Sequence, residues 1–77
     1  MRTQDTEFYL LRTFRDRMAP LAGSRLPHSE LDPLVIEAGL EIVLKLINGH
    51  GHSLRGAVGL LYSIVKELDI QPQEQTQ

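Results

Sequence analysis

Ten acids, eight basic side chains, three histidines and no cysteine are the reactive stock of this 77-residue chain, and their spacing limits the chemistry open to them. His50 and His52 flank Gly51, with His28 far off in sequence. Two imidazoles so placed could start a metal site, but no cysteine or nearby acid completes a ligand set, and the glycine loosens the loop. The acids do not pair with a base or nucleophile in any spacing that suggests a cleft. Ser24, Ser29, Ser53 and Ser63 read as loop, cap or small packing residues. Gly49, Gly51, Gly56 and Gly59 lack both the P-loop lysine and a strand before them, so no phosphate cradle is expected. The residues predict neither catalysis, nor a metal, nor a cofactor.

Charge points to a different kind of work. The formal net charge is -2, which disfavours non-specific nucleic-acid binding. It is unevenly spread. Residues 1–25 hold Arg2, Arg12, Arg15, Arg17 and Arg25 against Asp5, Glu7 and Asp16, and the remainder holds seven acids against Lys45, Arg55 and Lys66. Such asymmetry suits electrostatic pairing with a protein. A helix-turn-helix reader of DNA is a rival expectation, because three short helices are compatible with one. Its recognition helix should expose Arg, Lys, Asn or Gln, and the third segment offers only Arg55, Lys66 and two glycines.

These residues must be positioned by helices, since no strand alternation stands out. Three are expected, over about 5–19, 30–47 and 53–69, forming an all-α three-helix bundle in a single domain of residues 1–70, with 71–77 a disordered tail. In the first, Phe8, Leu11, Phe14 and Met18 follow the apolar spacing, and Pro20 ends the helix. In the second, Ser29 and Asp32 have the shape of a capping box. Asp32-Pro33 is expected to open the regular helix, with Leu31 and Ile36 as a hydrophobic staple. Asn48-Gly49 should close it, Gly49 taking the left-handed conformation. In the third, Ser53 caps, and Leu54, Val58, Leu61, Val65 and Leu68 form a seam of coiled-coil type.

The second helix has almost no polar face. Between Leu34 and Ile47 only Glu37, Glu41 and Lys45 are charged, each four residues from the next, making one narrow stripe. Two neighbouring helices can cover about two sides of the rest. Leaving several large aliphatics wet forgoes about 1.5–3 kcal/mol apiece. The remaining face is therefore expected to meet another chain, against the alternative of a self-contained bundle with this helix at its centre. Ser53, Gly56, Gly59 and Ser63 form a small-residue track on the third helix, suited to close backbone approach within the chain or across an interface.

One stretch resembles a known family. LPHSELD at residues 26–32, continued by Leu34, Ile36, Glu37 and Ala38, is similar to the start of the long helix in the TraM family of quorum-sensing antiactivators of conjugative elements in rhizobia. Leu60-Leu61-Tyr62-Ser63-Ile64 through Asp69-Ile70-Gln71-Pro72 also resembles that family's apolar last helix, and the antiactivator QseM is of similar size. Composition and motifs lead to the expectation of a cytoplasmic protein without enzyme activity; the resemblance implies a small helical protein that binds a LuxR-type transcriptional activator such as TraR and represses conjugative transfer. The apolar faces of the second and third helices make Leu34, Val43, Leu54, Leu61 and Val65, with Glu37 and Glu41, the candidate partner contacts, each of the five apolar residues being weighed against an equal expectation that it serves the core. The N-terminal arginines, or Glu30, Glu37 and Glu41, would steer the encounter. A homodimer, or a purely structural dimerisation module, is the further alternative. The N-terminus has charges throughout and no apolar signal core, and residues 33–47 are too short for a bilayer, so neither membrane nor small-molecule substrate is expected.

Overall fold

The computed structural model describes residues 6–72, and these fold as an all-α bundle of three helices. Asp5, where the first helix was expected to begin, lies outside them, as do residues 73–77 of the expected tail. Helix α1 spans Glu7–Met18, α2 His28–His50 and α3 Leu54–Glu67. Two short pairing segments, β1 (Arg25–Leu26) and β2 (Gln71–Pro72), run parallel, with Arg25 opposite Gln71. Sequence patterning misses them because two residues cannot show an alternation. Gln71 and Pro72 thus belong to the fold rather than to a tail.

Each helix begins and ends for a local reason. Thr6 caps α1, its hydroxyl accepting from the Tyr9 N–H at 3.1 Å. After Met18 the chain tightens into a 3-10 turn, Ala19–Leu21, at Pro20. Leu10, Phe14 and Met18, spaced by four, are the buried stripe of α1. Leu11 only flanks the core and Phe8 is 74% exposed, so the expected stripe is rotated by part of a turn.

Helix α2 starts five residues before the expected Asp32-Pro33 signal. Pro27 is its cap, and its carbonyl accepts from Glu30 and Leu31, both at 2.9 Å. Pro33 sits inside the helix, where the bond it cannot make is the one to the carbonyl of exposed Ser29, which water can satisfy. The staple does not form: Leu31 is buried and Ile36 is exposed. At the far end α2 runs through Gly49 to His50, and Gly51 is the left-handed residue, at φ 73°. Its N–H and that of His52 (3.2 Å) both turn back to the Leu46 carbonyl. Ser53 caps α3 as expected, accepting from the Gly56 N–H at 3.0 Å.

The core joins all three helices: Leu10, Phe14 and Met18 from α1, Leu31, Val35, Ile42, Val43 and Leu46 from α2, and Ala57, Leu61, Ile64 and Val65 from α3, closed by Ile70. On α3 the buried line runs through Ala57, Leu61, Ile64 and Val65. Leu54 is 63% exposed, while Val58 and Leu68 are partly buried, so the expected seam is again turned. Gly39 lies buried where the helices meet most closely. A Cβ there would collide with Leu61 Cδ1 and lie 3.0 and 3.1 Å from Phe14 ring carbons. The small-residue track of α3 makes no close approach within the chain, which leaves only the interface alternative. Ser53, Gly56, Gly59 and Ser63 are all exposed, and nothing lies within 4 Å of a Cβ built on Gly59.

Polar ties lock the helices in register. Arg15 meets Glu67 at 3.1 Å, linking α1 to α3. Arg17 lies 3.6 Å from Glu41 and donates to the Ala38 carbonyl at 2.9 Å, linking α1 to α2. His52 Nε2 is 2.8 Å from Glu7 Oε2. Tyr62 donates to Asp32 at 2.6 Å, joining α3 to the start of α2. Burial, reinforced by that bond and by the Asp32 charge, pushes the Tyr62 phenol up to about 12. A phenol raised in the folded state favours folding while it is protonated. Its contribution is complete below the ordinary tyrosine pKa of 10.0 and is lost as the pH climbs from there towards 12. We expect Tyr62→Phe to lose about 1–2 kcal/mol at neutral pH, the cost of a partly buried bond to a charged acceptor. A urea titration of parent and variant at pH 7 and again above pH 11 checks this, and a gap between them that persists undiminished at high pH would contradict it.

Candidate interaction surface

The exposed apolar side chains of α2 fall on a single row. Ile36, Leu40 and Leu44 are 58%, 55% and 50% exposed and stand four residues apart, so they lie nearly above one another on one face. A solvated helix usually turns polar residues to that side. The same row, continued back by four, reaches Asp32, which holds Tyr62. On α3 the row that starts at Tyr62 and steps back by four passes through partly buried Val58 to exposed Leu54. The Tyr62–Asp32 bond ties one end of the α3 row to the end of the α2 row. The α2 row is bordered by the charged stripe Glu37, Glu41 and Lys45, all exposed.

The seven expected contacts divide on this geometry. Leu54, Glu37 and Glu41 are exposed, and Leu34 is partly buried on the side of α2 that faces α1, in a shallow depression shared with Arg17 and Leu21. Val43, Leu61 and Val65 are core residues, at 6%, 2% and 3% exposure, and a partner could reach them only by opening the bundle. The periodic pattern marks them as apolar, but apolar residues at helical spacing serve a core before they serve an interface. Sequence reasoning missed Ile36, Leu40 and Leu44. Their fourfold spacing was visible, but which apolar row stays wet depends on where α1 and α3 dock.

The charged groups are partly engaged within the chain. Arg15 and Arg17 are held by Glu67 and Glu41, so the basic segment offers a partner less free charge than its composition suggests. Arg12 remains exposed on α1 beside exposed Phe8 and Tyr9. Among the described residues no three His, Cys, Asp or Glu side chains are grouped to hold a metal, and no helix is long and apolar enough to cross a membrane. A depression of about 300 Å³ lies between the start of α2 and the end of α3, floored by Leu31, Val65 and Ile70 and rimmed by His28, Tyr62 and Lys66. The Tyr62 hydroxyl there is already committed to Asp32.

Compared with protein-family models, with curated proteins and with solved structures, the chain gives no match.

Proposed function

We propose that this chain is an antiactivator, acting without catalysis by binding a LuxR-type transcriptional activator and withholding it from DNA, and so restraining transfer of a conjugative element. The observation that carries the reading is the strip of Ile36, Leu40 and Leu44 along α2, each at least half exposed on a bundle with a core of its own. Contiguous apolar surface of this kind on a small domain marks a protein contact. The TraM-like segment at residues 26–38 supports the class of partner and includes the first residue of the strip. The acids Glu37 and Glu41 at its border supply charge for steering.

The test is to mix the purified chain with a LuxR-type activator and follow the complex by size. Leu40→Asp should weaken the complex by at least about thirtyfold, as loss of a central apolar anchor does. Because Leu40 is already wet, the thermal melt of the isolated variant should stay close to the parent. Absence of any heterocomplex, together with salt-sensitive binding of generic duplex DNA by the chain alone, would overturn the proposal in favour of a DNA-binding regulator.

A further inference from the structure

We propose that the depression between the start of α2 and the end of α3 is a binding site for a free apolar α-amino acid of the leucine class. This site does not rest on the activator reading, and either can fail alone. The depression holds about 300 Å³, near the lower limit of small-molecule sites, which suits a ligand of about nine non-hydrogen atoms. Its floor is aliphatic, made by the outer edges of the core residues Leu31, Val65 and Ile70. The Tyr62 ring and the apolar stem of Lys66 wall it from α3, four residues apart and so on one face. A branched aliphatic side chain can lie on that floor without stripping water from a polar group.

The rim sets the polar chemistry. Lys66 is exposed, and the acids nearest it in sequence are spent elsewhere, Glu67 on Arg15 at 3.1 Å and Asp69 on the Gln71 amide at 2.8 Å. Among the described residues its ammonium meets no carboxylate, so it can take one from a ligand. The opposite polarity stands one turn back along α3. Tyr62 has given its proton to Asp32 at 2.6 Å, so its oxygen can only accept. Gln71 turns its amide nitrogen to Asp69, which leaves its carbonyl oxygen as a second acceptor. The Asp32 carboxylate behind Tyr62 makes a cationic donor the better match at these oxygens. A ligand fitted to this rim therefore carries a carboxylate for Lys66 and an ammonium for Tyr62 and Gln71. An α-amino acid holds both on one carbon, and the flexible lysine stem lets the ammonium close on the carboxylate. A fatty acid brings only the first group and an aliphatic amine only the second.

Leucine titrated into the full isotope-labelled chain should move the amide resonances of residues 28–31 and 62–71, which surround the depression. The shifts should saturate with a Kd on the order of 1 mM, ordinary for so small a ligand. Isocaproate, which is leucine without its amino group, and isoamylamine, which lacks the carboxylate, should each bind at least about fivefold more weakly. Lys66→Gln should weaken leucine binding about tenfold, whereas Lys66→Arg should stay within about threefold of the parent. Both free variants should melt with the parent, because Lys66 is exposed. The proposal would be overturned by the lack of a saturable shift up to about 20 mM leucine. Either analogue binding as tightly as leucine, or a Lys66→Gln variant that binds like the parent, would overturn it equally.

Discussion

Gly39→Ala should destabilise the bundle by about 1–3 kcal/mol, the usual cost of forcing a group into a filled core. In a solvated helix the same change is favourable by up to about 1 kcal/mol, because alanine is the better helix former. Here the sign reverses because of what surrounds the residue. The added methyl would collide with Leu61 Cδ1 and stand 3.0 Å from Phe14 Cε1. The Leu61 methyl is the end of a side chain that could rotate elsewhere, but Leu61 is 2% exposed and Phe14 wholly buried, so any movement displaces further core atoms. A loss of this size lowers the melting temperature of a domain this small by about 5–20 °C. Combining Gly39→Ala with Leu61→Ala should cost less than the sum of the two, since the new methyl enters space that the leucine vacates. Melting within a degree of the parent would mean that α1, α2 and α3 do not approach at Gly39 as described.

Phe14→Ala should be the most damaging single change, at about 3–5 kcal/mol. The ring is fully buried at the junction of the three helices, so its removal costs both transfer energy and a cavity lined from every side. A domain of 77 residues holds roughly 4–12 kcal/mol in all, so the loss takes about a quarter of that or more. The urea midpoint should fall sharply with little change in slope, the mark of lost stability rather than of an altered unfolded state. A midpoint shift no larger than that of Leu40→Asp would refute the distinction between a dry core and a wet strip.

That distinction is where sequence and structure part. The three helices, the Ser53 cap and the shortage of polar surface on α2 were legible, because each rests on local spacing or on one capping side chain. The boundaries of α2 were not. Asp32-Pro33 has the form of a start signal, yet Asp32 is spent on Tyr62 and Pro33 is accommodated one turn inside. Gly49 and Gly51 compete for the helix end, and the second wins because α2 keeps its hydrogen bonds for two more residues. Small residues were the other blind spot. Gly39 sits in tight contact with Leu61 and Phe14, but a glycine contributes so little to an apolar pattern that larger neighbours drew attention away from it. Gly56 and Gly59 pack against no other helix of the chain, so of the two contacts expected of their track only the one across an interface is left. Of the expected contacts, the exposed ones survive as surface and Val43, Leu61 and Val65 belong to the interior, because amphipathic spacing alone does not tell a dry row from a wet one.

The parallel pair at Arg25–Leu26 and Gln71–Pro72 has a consequence for how the molecule is made. Gln71 donates to the Ser24 carbonyl at 2.9 Å and Gly23 to that of Leu68 at 3.0 Å, so the connection between α1 and α2 is fastened by residues that follow α3. Between the two halves of this clasp lies the whole α2–α3 hairpin, whose contacts are closer in sequence and form first. On the ribosome, the hairpin can therefore assemble while the clasp is still incomplete, with Ile70, a core residue, not yet in place. The connection between α1 and α2 is fastened only when residues 70–72 join it, and until then the core lacks Ile70.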